Sequence, residues 1–204
     1  MPRAPLRDAE PRLLAAGLRL FSRLGCERVN SNAIAREASL GVGTFYAHFA
    51  DKYALLRSLQ LRTLDGLGVA RRSALADAGR DPRDQVQSAA FAAVSFAERH
   101  ADAYRVTFGR ERAASAARGP VLTESSRPLA QALASLQATS QLDPALDVAL
   151  AARAYLAMEA GTLLWWLEDS ARARRSEIVD TLARLHPVAM AGRPSPVIGA
   201  QGAV

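Results

Sequence analysis

One segment constrains the fold of this chain more than any other. Residues 30–49 read NSNAIAREASLGVGTFYAHF. This pattern predicts a short helix, a tight turn and a second short helix whose apolar side packs inward. The opposite side of the second helix presents polar and aromatic side chains among small ones: Gly43, Thr44, Tyr46, Ala47 and His48. Such a layout is typical of a helix-turn-helix that places one helix in a groove of DNA.

An amphipathic helix is predicted ahead of this segment, over residues 8–24. Leu14, Leu18 and Phe21 fall at i, i+4 and i+7, which is the spacing of one helical face. Asp8 is expected to be the N-cap of this helix and Gly25 its C-terminal stop.

Capping residues set the boundaries of the next helices. Asn30 or Ser31 caps the second helix, and a turn at residues 39–41 leads into the third, which ends near Phe49. Asp51 caps a long fourth helix.

The charge of the chain is unevenly distributed. The net charge is +6, and residues 1–80 hold 13 basic and 7 acidic residues, whereas residues 81–204 hold 13 of each. The whole positive excess therefore lies in the part that contains the predicted helix-turn-helix. A polyanionic partner for that part is the natural interpretation.

The remainder of the chain is predicted to be helical, so the fold class is all-α. The expected helices cover about residues 82–99, 101–108, 122–139, 144–170 and 176–185. Gly109 and the Gly119–Pro120 pair are expected to bracket a loop or distorted turn, and Pro187 to end the last helix. Residues 191–204 have the proline and glycine content of a flexible tail.

Residues 13–56 resemble the DNA-binding domain of the TetR family of one-component transcriptional regulators. The resemblance rests on LLAAGLRLF, Gly25, IAREA, Gly43–Thr44, Phe45–Tyr46, Phe49, Lys52 and Leu55–Leu56. Two positions depart from the family pattern. Ser39 stands where the family usually has glycine in the turn, and Asn30 replaces the usual threonine cap.

A set of DNA-binding residues follows from this pattern. Gly43 and Ala47 leave the third helix bare enough to approach the major groove, and Ala47 can touch a thymine methyl. Candidate contacts to phosphates or base edges are Ser31, Asn32, Arg36, Thr44, Tyr46, His48 and Lys52. The resemblance implies that Thr44, Tyr46, His48 and Lys52 contact the DNA backbone; packing against the fourth helix is an alternative for His48.

The resemblance also implies an organisation and a set of partners. Residues 8–55 form the DNA-binding domain, residues 56–190 a helical effector-binding and dimerisation domain, and residues 191–204 the tail. A homodimer would read two half-sites of a double-stranded operator, its last two long helices forming a four-helix bundle with their mates. The apolar residues Leu150, Leu163 and Leu182 are compatible with such an interface.

A pocket for a small molecule is expected between the middle helices. The large side chains available to line it are Phe91, Phe96, Tyr104, Phe108, Trp165 and Trp166. Apolar lining favours an aromatic, lipid-like or drug-like effector. Arg105, Arg153 and Glu159 are candidates to orient that effector.

Three functions are open to a chain with these features. The first is a ligand-responsive regulator, acting as a repressor in the cytoplasm, with no cofactor and no membrane association. The second is an enzyme; the chain has one cysteine, Cys26, and three histidines, without a nucleophile, phosphate-loop or metal motif. The third is a DNA-binding dimer that is constitutive or controlled by a protein partner. A well-formed apolar cavity would favour the first over the third.

Overall fold

A computed structural model describes residues 8–79, 81–109 and 112–190, with backbone alone at residues 112–124 and 190. All regular elements in these ranges are helical, which confirms the predicted all-α fold class. The helices are α1 (Ala9–Leu24), α2 (Ser31–Glu37), α3 (Val42–His48), α4 (Lys52–Asp77), α5 (Pro82–Arg99), α6 (Ala101–Phe108), α7 (Arg112–Ala138), α8 (Val148–Glu168), α9 (Arg175–Arg184) and α10 (Pro187–Met190).

Side-chain caps fix several helix starts. Asn30 Oδ1 accepts a hydrogen bond of 2.8 Å from the Ala33 N–H, and Asp51 Oδ1 accepts one of 2.7 Å from the Ala54 N–H. Each bond satisfies a backbone donor that has no partner within the helix. Asp8 precedes α1 as expected, but its side chain makes no capping hydrogen bond.

The turn between α2 and α3 closes through a Schellman motif. The Leu40 N–H donates to Ala35 O and the Ser39 N–H to Arg36 O, both at 2.9 Å. This geometry needs a left-handed residue after the helix, and Ser39 has a φ of 54°. Serine therefore occupies a backbone conformation that glycine adopts more easily.

Two hydrophobic clusters meet along α4. The N-terminal cluster joins α1, α2 and α3 to the first turns of α4, where Leu55, Leu56 and Leu59 are buried. The C-terminal cluster joins Leu67 of α4 to α5, α6, α8 and α9. The change of core therefore lies between Leu59 and Leu67; the domain boundary drawn between residues 55 and 56 stays a prediction.

The helices α1 and α4 pack closely at Gly17. A Cβ atom at Gly17 would overlap the Cδ2 atom of the buried Leu55. The absence of a side chain at residue 17 thus allows α1 to seat against the start of α4.

Four predicted features of the second half of the chain need correction. Helix α7 begins at Arg112 and continues through Gly119–Pro120, because one proline removes one intrahelical hydrogen bond without having to end the helix. Helix α8 begins at Val148, where Asp147 accepts from two backbone N–H groups. It also ends at Glu168, before the predicted residue 170. Pro187 starts the short helix α10 directly after α9. The predicted tail at 191–204 lies outside the described residues.

Candidate functional site

The outer face of α3 is bare at its centre. Phe45 and Phe49 are buried in the N-terminal cluster, so the opposite side of α3 faces outward. Gly43 and Ala47 are exposed there, and a Cβ atom at Gly43 would meet nothing within 4 Å. The backbone of α3 is therefore open to close approach by a partner.

Larger side chains flank Gly43 and Ala47 on the outer face of α3. Tyr46 is 57% exposed and its ring packs edge-on against Phe45, with centroids 5.4 Å apart. Thr44 and His48 are half-buried. The Nε2 atom of His48 is buried and has no hydrogen-bond partner among the described residues. An exposed aromatic ring held by a core ring is well placed to reach a nucleic-acid backbone.

The start of α2 supplies the second group of predicted contacts. Ser31 is half-buried, while Asn32 and Arg36 are exposed. These residues follow the Asn30 cap, where free backbone N–H groups favour a phosphate oxygen. The structure thus brings the predicted residues of α2 and α3 into one helix-turn-helix unit.

Lys52 is engaged within the protein. Its Nζ atom donates to Cys26 O at 2.9 Å and to Glu27 O at 3.2 Å, and it lies 5.1 Å from the centroid of the Tyr53 ring. The ammonium group joins the start of α4 to the loop that follows α1. A contact with DNA would have to share these donors or replace these bonds.

Arg12 is a residue that sequence reasoning missed. Its Nη2 atom donates to Ala38 O at 2.6 Å and to Ser39 O at 3.3 Å. A side chain of α1 thus holds the turn of the helix-turn-helix. Arg12 lies 26 and 27 residues from these partners, so no local pattern indicates the contact.

A cavity of about 300 Å³ lies between α4, α6, α7 and α8. A second lobe of about 220 Å³ shares part of this wall and extends toward Tyr155 and His186. Residues common to both lobes are Gly68, Arg71, Arg72, Ser125, Pro128, Leu156 and Glu159. The lining is mainly apolar, as in many small-molecule sites.

An ion pair between Arg71 of α4 and Glu159 of α8 lies on the cavity wall. Burial acts to lower the pKa of Arg71, but the Glu159 carboxylate offsets this and the pKa is raised. Burial and then the Glu159 charge raise the pKa of Tyr104 well above its usual value, and the same causes raise that of Tyr155. Both phenols therefore stay protonated.

His186 is held neutral at the far end of the second lobe. Burial, followed by the charge of Arg71, lowers the pKa of His186 to about 4. Its Nδ1 atom accepts a hydrogen bond of 3.2 Å from the Val188 N–H, and its ring packs against Tyr155. The neutral imidazole thus caps the start of α10.

The structure brings only some predicted pocket residues to the cavity. Tyr104 and Phe108 line it. Phe96 and Trp166 are buried in the C-terminal cluster, without lining either lobe. Phe91 and Trp165 are 51% and 46% exposed, because their faces of α5 and α8 are directed away from the cluster.

Of the charged residues predicted to orient an effector, only some lie at the cavity. Glu159 lies on the cavity wall, whereas Arg153 is exposed on α8. Arg105 is exposed and donates to Leu167 O at 2.7 Å. Sequence analysis did not single out Arg71, because two adjacent arginines are typical of a solvent-exposed surface. The available signal for a buried partner was Glu159, an acid in the middle of the apolar helix α8.

Comparison with known proteins agrees with this geometry. Residues 13–59 match the family described as bacterial regulatory proteins, tetR family. No curated protein sequence gives a significant match. In the described parts of the chain, no helix combines the length and apolar character that a bilayer crossing requires.

Solved structures resemble the chain over most of its length. PfmR from Thermus thermophilus, a TetR-family regulator, is 20% identical with a TM-score of 0.62, covering 86% of this chain and 94% of its own. FadR from Bacillus subtilis in complex with stearoyl-CoA is 15% identical, with a TM-score of 0.72 and coverages of 87% and 97%. Thermus thermophilus FadR, a TetR-family repressor in complex with lauroyl-CoA, is 23% identical, with a TM-score of 0.63 and coverages of 93% and 99%.

The fold and the open face of α3 define a helix-turn-helix DNA-binding transcription regulator. Its DNA-binding region, residues 13–59, belongs to the TetR family, and the whole described chain has the fold of TetR-family regulators.

Proposed function

We propose that this protein is a ligand-responsive repressor that leaves its operator when a small, mainly apolar effector enters the cavity. The observation that carries this proposal is the position of the cavity against α4. The same helix supplies Leu55, Leu56 and Leu59 to the core of the DNA-binding region. A ligand that moves α4 would therefore also move α3, the helix expected to enter the DNA groove.

Two elements support this coupling. The Arg71–Glu159 pair ties α4 to α8 across the cavity wall. Helix α6 contributes Tyr104 to the cavity, while Val106 of the same helix packs against the N-terminal cluster. An effector with different affinities for two arrangements of these helices would shift the balance between them.

A homodimer is part of the proposal. Helix α8 has an exposed face that has small and apolar residues at helical spacing: Leu150, Ala154, Ala157, Gly161 and Trp165. Leu185, just after α9, is also 46% exposed. Pairing of these faces would cover apolar surface and present two α3 helices to half-sites about 34–36 Å apart.

The relatives support an apolar effector. Two FadR structures of similar fold are complexes with stearoyl-CoA and lauroyl-CoA. The cavity here also favours a ligand over regulation solely by a protein partner, because a filled core would leave no room for an effector. Such a regulator would act in the cytoplasm.

The first experiment measures binding of the protein to DNA from its own upstream region by fluorescence anisotropy across a salt series. We expect tight binding that weakens steeply with salt, and loss of specific binding in Tyr46→Ala. Phe91→Ala, on an exposed face far along the chain from α3, is the control and should bind like the wild type.

An effector screen on the same complex tests the induction step. Release of DNA by a compound that also binds the free protein supports the proposal. No release by any cavity-binding compound would exclude induction and favour the constitutive or partner-controlled alternative.

A further inference from the structure

The charges that face the cavity balance among the described residues. The lining includes two arginines, Arg71 and Arg72, and two acids, Asp65 and Glu159. Arg71 and Glu159 are paired with each other, with side chains only 22% and 4% exposed. Asp65 and Arg72 are exposed. The described wall therefore offers an anionic ligand no buried cation that is free of a partner.

Among the described residues of the wall, one buried polar side chain has no hydrogen-bond partner. Tyr104 has no exposed surface, and its hydroxyl oxygen makes no hydrogen bond with the described residues. It lines the cavity, and the charges of Glu159 and Arg71 both act on its hydroxyl. The phenol therefore borders the same cavity as the ion pair and lies within range of both of its charges. A buried hydroxyl without a partner is costly, and a ligand oxygen would satisfy it.

We infer that the cavity binds an uncharged, mainly apolar molecule with one hydrogen-bond-accepting oxygen, such as a ketone, ester or alcohol, which accepts a hydrogen bond from the Tyr104 hydroxyl. This inference rests on the proposed function and narrows its effector class. The Tyr104 hydroxyl keeps its proton for donation, because burial raises its pKa.

An anionic ligand fits this wall poorly. A carboxylate could pair with Arg71 only by displacing Glu159, which would leave a second buried acid without its cation. For the several phosphates of a CoA ester, the described wall offers one cation besides Arg71, the exposed Arg72. The inferred ligand class thus differs from the acyl-CoA ligands bound in two structures of similar fold.

Titration calorimetry with four ten-carbon probes tests the inference. The probes are 1-decanol, 2-decanone, decanoate and decanoyl-CoA, each added to the full-length wild-type protein. We expect the alcohol and the ketone to bind at least about tenfold more tightly than the two anions, because an anion could reach the buried Arg71 only by breaking its ion pair with Glu159.

Two tyrosine variants locate the hydrogen bond. Tyr104→Phe should weaken binding of the alcohol and the ketone by about threefold to tenfold, the value of one neutral hydrogen bond. Its melting temperature without ligand should not fall, because the lost hydroxyl has no partner in the described part of the free protein. Tyr53→Phe is the control: it removes a hydroxyl that donates to Glu27 Oε2 at 3.4 Å and borders neither lobe, so the ligand affinity should stay within about twofold of the wild type.

The outcomes separate the inference from the proposed function. Tighter binding of decanoate or decanoyl-CoA, binding by none of the four probes, or an unchanged affinity in Tyr104→Phe would each overturn the inference. Release of operator DNA by decanoyl-CoA would support induction while contradicting the neutral ligand class. Binding of the ketone at Tyr104 without any release of DNA would support the ligand class while contradicting induction.

Discussion

Arg71 and Glu159 lie 88 positions apart in the chain and form an ion pair that joins α4 to α8. Both side chains are largely withdrawn from water, so each charge depends on the other for its stability. A buried pair of this kind is a weak source of net stability, but removing one partner is costly. The pair therefore constrains how α4 and α8 pack around the cavity.

Replacing one member of this pair should destabilise the protein. We expect Arg71→Met to lower the free energy of unfolding by about 3–5 kcal/mol, because the Glu159 carboxylate is left buried without its cation. The double variant Arg71→Met/Glu159→Met should recover most of the loss. Urea unfolding of the wild type, Arg71→Met, Glu159→Met and the double variant measures this. A double variant as unstable as the sum of the single ones would contradict the coupling.

Adding a large side chain at Gly43, on the bare outer face of α3, should block DNA binding without harming the fold. Gly43→Leu places a side chain where the structure has open space, and leucine favours a helix by up to about 1 kcal/mol over glycine. We expect an unchanged or higher melting temperature and operator affinity about tenfold lower or worse, since the backbone can no longer approach the groove. Gly43→Ala is the smaller control. Unchanged affinity in Gly43→Leu would exclude close approach of DNA at residue 43.

The left-handed residue of the turn offers a stabilising substitution. Ser39→Gly removes the steric cost of a φ of 54° but loses some entropy in the unfolded chain, so we expect a net gain of about 0.5 kcal/mol. Ser39→Val should instead lose about 1 kcal/mol or more, because a branched side chain tolerates this conformation poorly. Thermal unfolding of both variants distinguishes them. Equal losses would show that the Ser39 side chain stabilises the turn.

The neutral His186 should make the fold sensitive to acid. The pKa of His186 is about 4 in the folded protein and near 6.5 in the unfolded chain. Its contribution to the free energy of unfolding is therefore complete above about pH 6.5 and is lost as the pH falls toward 4. The expected loss is about 3 kcal/mol. His186→Asn keeps an acceptor for the Val188 N–H but does not titrate. Urea unfolding from about pH 7.5 to 4.5 should give a smaller decline for the variant; parallel curves would contradict the buried neutral state.

The DNA-binding region was predictable because its signals are local. Asn30 and Asp51 cap the helices that their positions indicate, and Gly25 ends α1 with a φ of 80°. The alternation of small and apolar residues around Phe45 gave the outward face of α3 correctly, since one helical turn decides it. The contacts of Lys52 could not be predicted in this way, because its hydrogen bonds to the carbonyls of residues 26 and 27 depend on how the loop after α1 folds back toward α4.

The cavity was less predictable because it depends on the packing of distant helices. Phe91 and Tyr104 are both aromatic residues on amphipathic helices, yet one is half-exposed and the other fully buried. Periodicity shows that a helix has an apolar side, but not which apolar side chain borders a void. Arg71 carried no local sign of its partner in α8, and only the tertiary arrangement makes it a residue of the wall.

Helix α6 belongs to both halves of the molecule. Tyr104 and Phe108 lie in the C-terminal cluster, whereas Val106, between them, packs against the N-terminal cluster on the other side. The DNA-binding region therefore cannot be transferred to another regulator by cutting the chain within α4 alone. A chimaera that grafts this DNA-binding region onto the helices of another regulator must also match the surface that Val106 covers, or it will expose apolar side chains of the graft to water.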